Sequence, residues 1–142
     1  MPTPESLVKA ELKKLLPTIG VYSLKDAVAR REAGEGIEGY YFMAAATGMG
    51  EAGIADFVMC VMGQYIEVEV KSAKGKPTSL QRLHGEIINN AEGEWYLVKG
   101  IDEVQPFINF LSSQIDIYIK AENAAKTMAA EMQKRLTGGV LH

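Results

Sequence analysis

The chain reads as α/β: a small mixed sheet flanked by helices, with an additional helical tail. Three observations predict this. Strict alternation of apolar and polar residues from Tyr65 to Lys71 follows an apolar run from Phe57 to Met62, which is the pattern of an antiparallel hairpin. A helical stretch from Thr78 to Asn90 is followed by a strand-like segment, Glu94–Lys99. A strand–helix–strand unit of this length is a right-handed crossover, so its two strands run parallel. Apolar residues at helical spacing open and close the chain.

The first helix is expected to start at Thr3 as N-cap, with Pro4 in the first helical position. It runs to about Leu16, before Pro17, with Leu7, Val8, Leu12, Leu15 and Leu16 as its apolar stripe. Val21-Tyr22 starts a short strand, and Ser23 caps a helix reaching Ala33. Arg30 and Arg31 give that helix a polar end, more simply solvated than bound to phosphate. Gly34–Gly39 is a loop, Tyr40–Thr47 a strand, and Gly48–Gly53 a flexible bend not spaced as a phosphate-binding loop.

Within the hairpin, Gly63-Gln64 is the expected two-residue turn. Met62 would then face Tyr65, Val58 would face Glu69, and Asp56 would face Lys71. Alternation puts Glu67, Glu69 and Lys71 on one face and Ile66, Val68 and Val70 on the other. Cross-strand partners share a face, so Asp56, Glu69 and Lys71 converge. A loop one residue longer would send Asp56 to the far face. Cys60, mid-strand, reads as a small buried apolar residue.

The helix after Ser72–Pro77 should bury Leu80, Leu83, Ile87 and Ala91. Gly85 marks a close approach, His84 is a partly exposed helix residue, and Trp95 is expected in the core. Asp102 should cap a last helix with Pro106 in its first turn and Val104, Phe107, Ile108, Leu111 and Ile115 on one face. The pattern continues through Tyr118, Ala125, Met128, Met132 and Leu136 and ends at Gly138-Gly139. Residues 1–111 form one domain, and 112–142 a helical extension packed on that domain or on a partner subunit.

A chain of 142 residues supports one core. Its 47% hydrophobic and 23% charged residues are ordinary for a soluble globular protein. No apolar run suffices for a membrane helix, and the N-terminus lacks the basic and apolar regions of a signal peptide. A lone cysteine excludes an internal disulfide and suits a reducing compartment. The net charge of −3 is weakly against nucleic acid, but Lys71, Lys74, Lys76, Arg82 and His84 form an acid-free basic patch beside the proposed site.

Two carboxylates and a lysine on one sheet face form a chemical set. The carboxylates can hold a hard divalent cation, which polarises a phosphoryl oxygen and acidifies a bound water. The lysine can orient that water or offset developing charge. The bland alternative is the wet face of an ordinary hairpin, which also carries Glu and Lys.

Asp56, the hairpin and Glu69-Val70-Lys71 resemble the PD-(D/E)xK nuclease motif. With Lys74-Gly75-Lys76-Pro77-Thr78-Ser79-Leu80-Gln81 the resemblance narrows to the small stand-alone form of the virus-type replication-repair nuclease (VRR-NUC) domain, over roughly Glu5 to Phe110. Ala55 departs from it, because the family usually has proline before the aspartate. Tyr22–Gly39 has no clear counterpart.

The resemblance implies a restriction-endonuclease-like core and a Mg²⁺- or Mn²⁺-dependent endodeoxyribonuclease. Asp56, Glu69 and the Val70 carbonyl would hold the metal, with Glu5 completing the site from the first helix and Glu11 as the other possibility. Glu5 read by itself is an acid complementing the helix dipole. Lys71 would position the water, and Gln81 would support water or phosphate. Gln81 read by itself closes a capping box with Thr78. Lys74, Lys76 and Arg82 would meet DNA. The resemblance further implies a homodimer acting on branched DNA such as a Holliday junction, in the cytoplasm of a bacterial or phage-infected cell. A non-catalytic nucleic-acid-binding or assembly module, and a structural subunit organised by the tail, are the alternatives.

Overall fold

The computed structural model describes residues 3–44 and 53–138. The expected end of the second strand at Thr47, most of the Gly48–Gly53 bend and the residues after Gly138 lie outside them.

Helix α1 (Pro4–Leu15) is capped by Thr3, whose hydroxyl accepts from the Ser6 amide, and Pro4 occupies its first turn. A 3-10 turn, Leu16–Ile19, leads to Gly20, whose φ of 86° reverses the chain. Then follow β1 (Val21–Ser23), α2 (Leu24–Glu32), β2 (Gly39–Met43), β3 (Phe57–Val61) and β4 (Gln64–Lys71). Helix α3 (Ser79–Asn90), β5 (Glu94–Lys99), a 3-10 turn (Ile101–Glu103) and α4 (Val104–Gly138) complete the fold.

The five strands form one sheet in chain order. β1 and β2 run parallel, β3 is antiparallel to both β2 and β4, and β4 and β5 run parallel. The mixed sheet and the crossover therefore match the expected α/β class. No helix among the described residues is long and apolar enough to cross a membrane.

The hairpin turn is Met62-Gly63, not Gly63-Gln64. Val61 pairs with Gln64, and Val58 pairs with Glu67 instead of Glu69. Met62 and Gly63 have φ of 49° and 81°. Two consecutive positive φ values give the twist that suits a tight hairpin. The register moves by two residues, so every side chain keeps its face.

On one face, Phe57, Met59, Val61, Ile66, Val68 and Val70 join Val8, Leu12 and Leu16 of α1 and Val104, Phe107, Ile108, Leu111 and Ile115 of α4 in one core. Leu7 departs from the expected stripe and is exposed. Asp102 does not cap α4 but lies within the preceding 3-10 turn. Glu103 closes that corner by accepting from the Lys99 amide at 2.8 Å. Helix α4 runs unbroken for 35 residues, about 52 Å at 1.5 Å per residue. Beyond Ile119 its side chains, Met128, Met132 and Leu136 among them, are exposed.

The other face carries Val58, Cys60, Tyr65, Glu67, Glu69 and Lys71, with Trp95 beside Glu67 across β4–β5. Here α3 turns the unexpected way. Leu80, Leu83, Ile87 and Ala91 are exposed, while Gly85 and Ile88 are buried. The reason lies in what the helix covers. A sheet face holding buried carboxylates needs donors over it, because an unpaired buried charge costs far more than an exposed leucine. Gln81 and His84 supply those donors. Cys60 is exposed, contrary to its reading as buried, and α3 is seated on β5 instead of over β3.

Gly85 makes that seating possible. A Cβ there would lie 2.6 Å from Cδ2 of Trp95. Gly85→Ala should therefore cost about 1–3 kcal/mol of overpacking, less the ~1 kcal/mol that alanine returns in helix propensity. Urea unfolding followed by Trp95 fluorescence would read the loss.

Candidate metal and phosphate site

Four elements meet at the C-terminal end of β4. Asp56 lies just before β3. Its Oδ2 accepts from the Val70 amide at 2.9 Å, taking the place of a ladder partner. The Asp56 carbonyl accepts from the Ala44 amide at 3.3 Å. Asp56 is thus anchored by main chain on both sides.

Glu69 is 3% exposed, next to Asp56 on the same sheet face. Its Oε1 accepts from Nε2 of Gln81 at 2.9 Å and faces Lys71 Nζ at 3.6 Å. Its Oε2 is buried and, among the described residues, has no hydrogen-bond partner. Burial, followed by the nearby charge of Asp56, pushes the Glu69 carboxyl up to about 7; Lys71 and Lys9 pull it back.

Gln81 closes the expected capping box and also reaches Glu69. Its Oε1 accepts from the Thr78 amide at 2.8 Å, its own amide donates to Thr78 Oγ1 at 3.1 Å, and its Nε2 still reaches Glu69. The capping box fixes the amide group that donates to the carboxylate. Lys74 and Lys76 in the following loop, and Arg82 in the first turn of α3, are exposed. Arg30, by contrast, is engaged within the fold: it pairs with Glu35 at 2.8 Å, donates to the Gly36 carbonyl at 2.9 Å and covers the Tyr22 ring.

Asp56, Glu69, Lys71 and Gln81 are therefore brought together. Glu5 is half-buried in α1, and among the described residues no three His, Cys, Asp or Glu side chains are grouped to hold a metal. The residue that α1 does deliver is Lys9, whose Nζ stands 3.1 Å from Asp56 Oδ1. Sequence reasoning missed it, although it lies one turn beyond Glu5 on the same flank of the helix. Glu67 and His84 were also passed over as a pair. Glu67 is buried, with Oε1 3.0 Å from His84 Nε2, and His84 is only half-buried as expected.

Carboxylate oxygens are the donor type that a hard divalent cation takes. Two adjacent carboxylates offer oxygen, one of those oxygens is buried and without a hydrogen-bond partner among the described residues, and their mutual repulsion favours a shared cation. The Val70 carbonyl points the same way as its amide, toward Asp56, because both groups of one strand residue face one neighbour. Lys9 at Asp56 supplies positive charge from the chain itself.

The raised Glu69 carboxyl has a stability consequence. Between the ordinary carboxylate range and about pH 7, the folded state binds the proton that the unfolded state has released. Stability from this group is thus present at low pH and falls as pH rises through that window. A series of thermal melts from pH 5 to 8 should show this decline, and Glu69→Gln should flatten it.

Comparison with protein-family models, curated proteins and solved structures returned no match.

Proposed function

We propose that this chain is a Mg²⁺- or Mn²⁺-dependent endodeoxyribonuclease of the VRR-NUC type, with a PD-(D/E)xK core. One juxtaposition carries the reading: Asp56, Glu69, Lys71 and Gln81 meet at one end of the sheet, with a buried Glu69 oxygen that has no hydrogen-bond partner among the described residues. An unpaired buried carboxylate oxygen is costly unless something binds it.

Asp56, Glu69 and the Val70 carbonyl would hold the cation, and Glu5 would complete the set from α1. The cation would polarise the phosphodiester and acidify a water. Lys71 holds its ammonium beside Glu69, where it can orient that water and offset charge on the phosphate. Gln81, locked by its capping box, donates from a fixed position. Lys74, Lys76 and Arg82 would take flanking phosphates. Lys9 neutralises Asp56 before a cation arrives.

Branched DNA as substrate follows from the resemblance alone. A homodimer follows from the resemblance and from the exposed Met128, Met132 and Leu136 of α4, which a second copy could cover.

The test is nicking of labelled four-way junction and linear duplex DNA, with Mn²⁺ or with EDTA. Cleavage that needs Mn²⁺ and disappears in Lys71→Ala is expected, and the ratio between substrates reads the preference for branches. DNA binding without cleavage would replace this reading with a binding module. Neither binding nor cleavage would leave a structural subunit.

A further inference from the structure

Glu67 takes no part in the chemistry proposed above, yet it is more completely engaged than the other buried glutamate of that sheet face, Glu69. It is 2% exposed. Its Oε1 accepts from the Ala55 amide at 3.2 Å and lies 3.0 Å from His84 Nε2, and its Oε2 accepts from the Tyr65 hydroxyl. Burial and this hydrogen bond raise the Tyr65 hydroxyl well above its ordinary range, so it stays a donor.

Stability does not explain a carboxylate here. A buried charged network is commonly no more stable than well-packed apolar residues of the same volume. What distinguishes Glu67 is what it joins. Ala55 is buried and directly precedes Asp56, ahead of the first ladder pair of β3. His84 lies one turn beyond Gln81 in α3. A single carboxylate therefore ties the segment carrying Asp56 to the helix carrying Gln81, and Glu69 stands two residues along the same strand face.

We infer that Glu67 is a positioning residue: its carboxylate holds the Ala55 amide and the His84 ring, and so sets Asp56 and Gln81 in place around Glu69. The inference rests on the metal-site reading above. A restraint of this kind, one shell behind metal-binding carboxylates, governs affinity through their orientation.

Glu67→Met keeps the volume and removes both acceptors. Glu67→Gln keeps an oxygen for the Ala55 amide, and its side-chain amide can donate to the Tyr65 hydroxyl oxygen. Two quantities are read: Mn²⁺ affinity by calorimetric titration, and hydrogen exchange of the Ala55 amide without metal. Glu67→Met should weaken Mn²⁺ binding by about 10–100-fold and expose the Ala55 amide to exchange. Glu67→Gln should restore most of both. DNA affinity in EDTA should change far less in either variant, because the Glu67 carboxylate holds the Ala55 amide, Tyr65 and His84, while Lys74, Lys76 and Arg82 are exposed.

Equal Mn²⁺ affinity in Glu67→Met and wild type would overturn the positioning role and leave the metal site standing. A wild type that binds no Mn²⁺ would overturn both. The wild-type exchange rate needs no variant to fold: an Ala55 amide exchanging as fast as exposed amides would overturn the inference alone.

Discussion

Lys71→Ala is expected to lower Mn²⁺-dependent nicking by about 10²–10³-fold, the usual loss when one group stabilising transition-state charge is removed. Mn²⁺ binding should survive. Lys71 lies 3.6 Å from Glu69 Oε1 as a like charge to the incoming cation, so its removal takes away a repulsion and no ligand. The opposite holds for Glu69→Gln, which removes a carboxylate and should lose both cleavage and metal affinity. The two variants separate binding from chemistry within one site. A second effect runs against Lys71→Ala near neutrality. Lys71 is one of the groups holding the Glu69 carboxyl down, so without it the proton competes with metal to higher pH. The assay therefore belongs at pH 8 or above, where that competition fades. A Lys71→Ala protein that nicks at the wild-type rate there would remove lysine from the mechanism. A Lys71→Ala protein that loses Mn²⁺ affinity as completely as Glu69→Gln would show that the substitution had damaged the site itself.

The hairpin was legible because strand alternation has a period of two and is indifferent to a two-residue error. The turn was misplaced onto Gln64, yet Asp56, Glu69 and Lys71 stayed on one face. Gln81 was legible as the partner of Thr78 in a capping box; its contact with Glu69 uses the other atom of the same amide and is a tertiary contact that the local pattern does not encode. Helix α3 was misread for a physical reason. Apolar spacing predicts which side of a helix is buried only when the surface beneath is apolar. Under α3 that surface holds Glu67 and Glu69, so Gln81, His84 and Gly85 face inward and Leu80, Leu83 and Ile87 face out. Lys9 and the partners of Glu67 escaped notice because each acts through a tertiary contact, with Asp56 and with Ala55, that no local pattern encodes.

Phe57→Ala should destabilise the protein by about 3–5 kcal/mol, the range for truncating a fully buried phenylalanine. Phe57 has no exposed surface, its ring packs 5.6 Å from that of Tyr41, and it pairs with Val68 at the start of β3. Against a total stability of about 5–15 kcal/mol the loss is large, and urea unfolding should show a lowered midpoint with an unchanged slope. The position gives the substitution a second consequence. Phe57 follows Asp56 directly and fixes where β3 begins, on the opposite face from the carboxylates. A cavity beneath it would loosen the strand end from which Asp56 reaches the Val70 amide. Mn²⁺ affinity should therefore fall in Phe57→Ala even under conditions where the protein remains folded. Val61→Ala provides the comparison: it opens the same core at the far end of β3, beside the Met62-Gly63 turn and away from the strand end that follows Asp56. It should lose stability and keep metal affinity. If both variants weaken Mn²⁺ binding alike, the site depends on the sheet as a whole and not on the anchoring of its strand end.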